Sequence, residues 1–115
     1  MPDERRRTGE TAELRRLRGR IDALDRKLVA MLNERAELAR EAGRAKSAAG
    51  RTAIRDAERE REVLLRVTIA NDGPLPQADL LALYRRLFAA TRALETKDRD
   101  RERARPREDP GDEPT

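Results

Sequence analysis

Asp56 and Glu60 stand one helical turn apart, and Val63, Val67 and Ala70 continue their three-four spacing. Two carboxylates thus extend an apolar stripe. Cations intrude in the same way earlier in the chain. Leu14, Leu17, Ile21, Leu24, Leu28, Met31, Leu38, Ala42 and Ala45 form one helical seam, and Arg35 occupies a seam position between Met31 and Leu38. On a straight helix Lys46 lies about 20° around and roughly 16 Å along from Arg35. Arg18 abuts the seam between Leu17 and Ile21, and Thr91 and Glu95 prolong a later stripe of Leu80, Tyr84 and Leu87. Each charge has a plain alternative: an arginine snorkelling at a contact edge, an acid favoured in a first helical turn, a solvated helix end. Taken together, cations from one helix and acids from two others border apolar stripes, which resembles a polar pocket inside a helical bundle.

The chemistry open to such a pocket is narrowed by what the sequence lacks. With no Cys there is neither a disulfide framework nor a thiolate, and with no His the commonest general base and metal ligand are missing. No cofactor is expected. Residues 10–95 hold 18 basic and 14 acidic side chains, so the net charge of +4 sits in the folded body and suits an anionic ligand.

The elements that must carry these residues are helices. Charged residues make up 43% of the 115 and aromatics 2%, with few β-branched types, which favours long helices over sheet. The spacing predicts a first helix from about Thr11 to Ala48, interrupted only by Gly19 and Gly43. "SAAGRTA", Ser47 to Ala53, reads as a loop. A second helix follows from about Ile54 to Ala70. "NDGPLP", Asn71 to Pro76, is a stop and turn in which Gly73 is free to take a positive φ. A third helix runs from about Gln77 to Glu95, with room to continue into the charged tail.

The expected architecture is all-α, three helices per chain, one long and two shorter. Residues 1–9 and 99–115 are expected to be disordered tails flanking a domain at 10–98. A first helix of about 36 residues would be roughly 54 Å long, too long for a compact monomer of this size. Arg18 and Arg35 are about 25 Å apart on it, so both serve one small site only if Arg18 comes from a second chain. No apolar run reaches the length of a membrane span, and the N-terminus lacks the apolar core of a secretory signal, so a cytoplasmic protein is expected.

Four motifs occur in order: L-R-x-x-I-D-x-L-D from Leu17, E-R-x-x-L-A-x-x-x-G-x-x-K ending at Lys46, R-D-x-x-R-E from Arg55 to Glu60, and R-A-L-E ending at Glu95. In this set and order, over Leu14 to Glu95, the chain resembles the all-helical (type II) chorismate mutases. The resemblance implies an intertwined homodimeric helical bundle with two equivalent sites. It also implies the Claisen rearrangement of the dianion chorismate to prephenate, at the branch toward phenylalanine and tyrosine. That reaction needs no nucleophile, metal or proton transfer, in keeping with the missing His and Cys.

By the same resemblance, Arg18 from the partner chain and Arg35 would bind the two carboxylates. Lys46 would donate to the ether oxygen, and Glu95 would stand at its second donor. Glu60 would accept from the ring hydroxyl, assisted by backbone near Asp56. Arg59 would support the carboxylate end, Thr91 would add a lesser polar contact, and Val63 and Phe88 would form apolar walls. Two departures stand out. The common bacterial pattern has Gln where this chain has Glu95, and only a protonated carboxyl donates a hydrogen bond. The interval from Lys46 to Asp56 is also one residue longer, which "SAAGR" absorbs in a loop.

Two other readings remain at this point. The same scaffold isomerises aminodeoxychorismate or eliminates pyruvate from isochorismate. R-D-x-x-R-E favours a mutase over the lyase, while an amino group opposite Glu60 is still admissible. The basic pI of about 10.3 also suits a non-enzymatic helical protein that binds nucleic acid. Interspersed acids and the scarcity of stacking aromatics argue against that, so no nucleic-acid or membrane partner is expected. A partner enzyme is left open.

Overall fold

The computed structural model describes residues 9–51 and 55–105. Three helices account for nearly all of them: α1 (Ala12–Ala48), α2 (Ala57–Ala70) and α3 (Gln77–Ala104). No strand occurs among the described residues, so the all-α expectation holds. The chain divides into two units, residues 1–38 and 39–115, with the boundary inside α1.

In the first unit, α1 begins behind Thr11, whose Oγ1 accepts the Leu14 N–H at 3.1 Å and so satisfies one of the free amides of the first turn. The seam read from the sequence is present and uncovered. Ile21, Leu24, Leu28 and Met31 are each more than half exposed.

The second unit holds the end of α1 together with α2 and α3. Gly50, at φ 81°, closes α1: the Arg51 N–H reaches the Lys46 carbonyl at 2.8 Å and the Gly50 N–H reaches that of Ser47 at 3.0 Å. This paired closure requires a left-handed residue that glycine adopts without a Cβ clash, and it ends the helix shortly after Lys46. α2 starts at Ala57, later than the periodicity suggests. Asp56 Oδ1 accepts the Arg59 N–H at 3.0 Å, which makes Asp56 the cap and not a helical residue. Ile54, the expected start, lies outside the described residues.

The turn after α2 corrects one expectation. Gly73 does not take a positive φ. The turn is held instead by Asn71, whose Oδ1 accepts the Gly73 N–H at 3.3 Å while its Nδ2 donates to the Leu75 carbonyl at 3.2 Å. A side chain that mimics a backbone turn removes the need for left-handed glycine.

α3 continues well beyond Glu95, to Ala104. Residues 99–104, expected in a disordered tail, are helical. Lys, Arg and Glu are good helix formers, and residues 96–104 contain no Gly or Pro. Arg105 leaves the helix with ψ 132°, as expected for a residue before Pro106, whose ring disfavours a helical predecessor.

α2 packs on α3, and Phe88 sits at their centre. It is the one buried residue among those described, at 6% exposure, with Tyr84 edge-on at 6.2 Å. Val63, Leu64, Val67, Leu80 and Leu87 are half-buried. With one large apolar side chain buried among the described residues and the α1 seam open, these helices have little core of their own.

Candidate active site

The second unit carries six of the eight residues singled out by the sequence. The end of α1 supplies Lys46, the segment before α2 supplies Asp56, α2 supplies Arg59 and Glu60, and α3 supplies Thr91 and Glu95. Arg18 and Arg35 belong to the first unit. There Arg18 lies on the exposed surface and pairs with Glu10 at 3.6 Å, and Arg35 is half-buried.

A cavity of about 380 Å³ opens in the second unit, with Gly43, Lys46, Glu95, Asp98 and Arg99 in its wall. That volume falls within the range of small-molecule sites, roughly 300–1,000 Å³. Lys46 and Glu95 therefore line one space although 49 positions separate them. Gly43 explains how the carboxyl comes so near α1. A Cβ at that position would stand 3.4 Å from the Glu95 Cδ and 3.6 Å from its Oε1. The glycine that interrupts the first helix in the sequence is the place where the acid lies against that helix.

Burial strips water from the Glu95 carboxyl and pushes its pKa above the ordinary range. Lys46 opposes this most, followed by Arg99, while the negative charge of Asp98 adds to it and Arg92 opposes it more weakly. The raised value extends the protonated, donating form to higher pH. Asp98 is shifted the other way. Arg40 grips it as a fork, Nε to Oδ2 and Nη2 to Oδ1, both at 2.8 Å, and this hydrogen-bonded cation holds the Asp98 carboxyl below its usual range. The fork ties α1 to α3 one turn beyond Glu95.

Glu60 is half-buried and faces two cations. Its Oε2 accepts from Arg92 Nη1, and its Oε1 lies 3.7 Å from Arg55 Nε. Thr91 donates its hydroxyl to the Leu87 carbonyl at 2.9 Å and keeps its oxygen lone pairs free to accept. Asp56 is engaged as the α2 cap and also lies 3.6 Å from Arg51. Arg59 is exposed and reaches Glu62 at 3.5 Å. Val63 is half-buried and Phe88 lies in the core.

Sequence reasoning assigned no role to Arg40, Asp98, Gly43 or Arg92. Arg92 and Gly43 stand inside the quoted motifs, but the motifs do not say which side chains they meet. Among the described residues, no cluster of His, Cys, Asp and Glu has the makings of a metal site, and no helix is long and apolar enough to cross a membrane.

Residues 17–96 match the family described as chorismate mutase type II. The chain is 39% identical over 89 residues to the bifunctional chorismate mutase/prephenate dehydratase of Aquifex aeolicus, a match covering 74% of this chain and 24% of that protein. It is 53% identical over 51 residues to the protein of the same name from Escherichia coli, covering 44% and 13% respectively. The chain thus spans about a quarter or less of the curated relatives it matches. Among solved structures, a chorismate mutase (form II) from Thermus thermophilus is 32% identical with a TM-score of 0.69, over 73% of this chain and 94% of that one.

Proposed function

The chain belongs to the type II chorismate mutase family, and from that premise we propose that it converts chorismate to prephenate. The observation that carries this reading is the cavity where Lys46 on α1 and the carboxyl of Glu95 on α3 line one wall.

In this rearrangement one C–O bond breaks as one C–C bond forms, and no atom enters or leaves. The protein has two tasks. It holds the substrate with its reacting ends together, and it stabilises the negative charge that grows on the ether oxygen as the C–O bond lengthens. Lys46 meets the second task as a fixed cation. Glu95 meets it only when protonated, since an ionised carboxylate has no proton to donate and repels the growing charge. Burial of Glu95 favours that neutral form. Glu60 is the acceptor for the ring hydroxyl, with the Asp56 segment behind it. Thr91 adds a weak polar contact, Val63 contributes apolar wall with the buried Phe88 behind it, and Arg59 supports the carboxylate end by leaving its Glu62 partner.

The two substrate carboxylates are assigned to Arg35 and to the partner subunit's Arg18, in an intertwined homodimer. The open seam of Ile21, Leu24, Leu28 and Met31 supports that assembly, because apolar surface of this extent on a helix gains most by burial.

Purified protein incubated with chorismate, without added metal or cofactor, should form prephenate. Activity should fall as pH rises through the pKa of Glu95 in the complex, and Glu95→Gln should flatten that fall because an amide donates at every pH. Turnover of isochorismate or the 4-amino analogue without turnover of chorismate would overturn the reading. An unchanged pH profile in Glu95→Gln would remove Glu95 from the ether oxygen.

A further inference from the structure

The ion pair between Arg92 and Glu60 bears on a question the motifs leave open: which group at C4 of the substrate the site accepts. A lone carboxylate on α2 would attract an ammonium more strongly than a hydroxyl. Glu60 is not alone. Arg92 on α3 holds Oε2, and Arg55, from the segment before α2, stands 3.7 Å from Oε1. These are the charged groups that meet Glu60 among the described residues.

The Arg92 side chain is only 29% exposed and that of Glu60 18%, so water screens this pair less than a surface one. A carboxylate has about four acceptor positions, and two donors leave capacity for another. The pair therefore still accepts a hydrogen bond, while its net charge is cancelled by Arg92.

We propose that Arg92 is a specificity-determining residue: by neutralising Glu60 within the site it makes the α2–α3 face an acceptor for a neutral C4 hydroxyl and unfavourable to a C4 ammonium. This rests on the mutase reading above and deepens it. A hydroxyl gives its proton to Glu60 as a hydrogen bond and brings no charge. A primary amine is an ammonium near neutral pH. It would approach a carboxylate whose charge is already countered, with a guanidinium beside it, and like-charge juxtaposition is a strong means of rejection. Arg92 need not touch the substrate to act in this way. It sets both the charge and the aim of the group that does.

The test compares kcat/KM for chorismate and for its 4-amino analogue in the full chain, in wild type, Arg92→Gln and Arg92→Lys. Wild type should favour the hydroxyl substrate. Arg92→Gln should lower the hydroxyl-to-amino ratio by about tenfold or more, the scale on which one ion-pair partner alters recognition of a charged group. Arg92→Lys, which keeps the positive charge, should restore most of the preference. In wild type alone, the relative rate with the amino substrate should climb as pH rises and its ammonium loses a proton. Glu95 cancels from that ratio because it serves both substrates, and the measurement requires no variant to fold. A ratio indifferent to Arg92→Gln, or a wild-type ratio flat with pH, overturns the proposal while leaving the mutase reading intact. Absence of chorismate turnover in wild type overturns the mutase reading itself.

Discussion

Arg18 and Lys46 ride on the same helix, yet their surroundings have little in common. Around Arg18, in the first unit, the helix carries an exposed apolar seam, and the arginine pairs with Glu10 at 3.6 Å. Around Lys46, in the second unit, charges from α3 turn inward, a glycine admits a carboxyl, and a guanidinium fork ties two helices together. Exposed apolar side chains occur in both units, Leu65, Ile69 and Leu83 in the second among them, while the half-buried Arg40–Asp98 and Arg92–Glu60 pairs belong to the second. Each would be costly in isolation, for opposite reasons. Apolar surface gains by leaving water, and half-buried charges need partners within reach.

The sharpest way to break this contrast is to charge the seam. Leu24→Glu combined with Leu28→Glu should weaken the proposed dimer by about 2–4 kcal/mol or more, as loss of central interface anchors does. Sedimentation equilibrium should then report monomer, with activity lost because the partner subunit's Arg18 is gone. A dimer that persists would show that the seam is not the interface. Lys46→Ala addresses the other unit. It should lower kcat about 10²–10³-fold, the cost of removing one donor from a developing oxyanion, while the sedimentation profile stays as in wild type. A small loss in kcat would move the oxyanion role away from Lys46. The mildest change is Asp98→Asn. Removing this negative charge takes away one influence that raises the Glu95 pKa, so the falling limb of the pH–activity profile should move to lower pH, with only a few-fold change at its plateau. A stationary limb would disconnect the fork from Glu95.

How far the sequence reached differs between the two units. The seam was legible residue by residue, because helical periodicity reports directly which side chains share a face. The extent of α1 and the end of α2 were read to within a residue, and the start of α3 was read correctly. The start of α2 was placed too early. Asp56 fits the apolar stripe by spacing, but its short side chain also captures the Arg59 N–H, and the local hydrogen bond decides. The end of α3 was placed too early because a run of alternating charge resembles disorder when it has no visible partner. Asp98 has one in Arg40, 58 residues away.

The candidate site was legible as a set of residue types and not as an arrangement. Lys46, Glu60, Thr91 and Glu95 were picked out because charged or polar side chains interrupt apolar stripes in the order of known motifs. Arg92 gave no comparable signal. It is one of 27 Lys and Arg residues, and its place within R-A-L-E does not say that it faces Glu60 on another helix.

By itself, the sequence determined the helical class, the apolar face of each helix, the family and the exclusion of thiolate or imidazole chemistry. These follow from composition, from short-range periodicity and from ordered motifs, all properties of the linear chain. Only the tertiary structure decided that Glu95 rests against Gly43, that Arg40 clasps Asp98 and that Arg92 pairs with Glu60. Such pairings depend on distances of a few ångströms between helices distant in sequence, and a charge on a helix carries no mark of which opposite charge it will meet. The electrostatic character of half-buried surfaces between helices is set by such meetings, so it becomes legible only once the helices are packed.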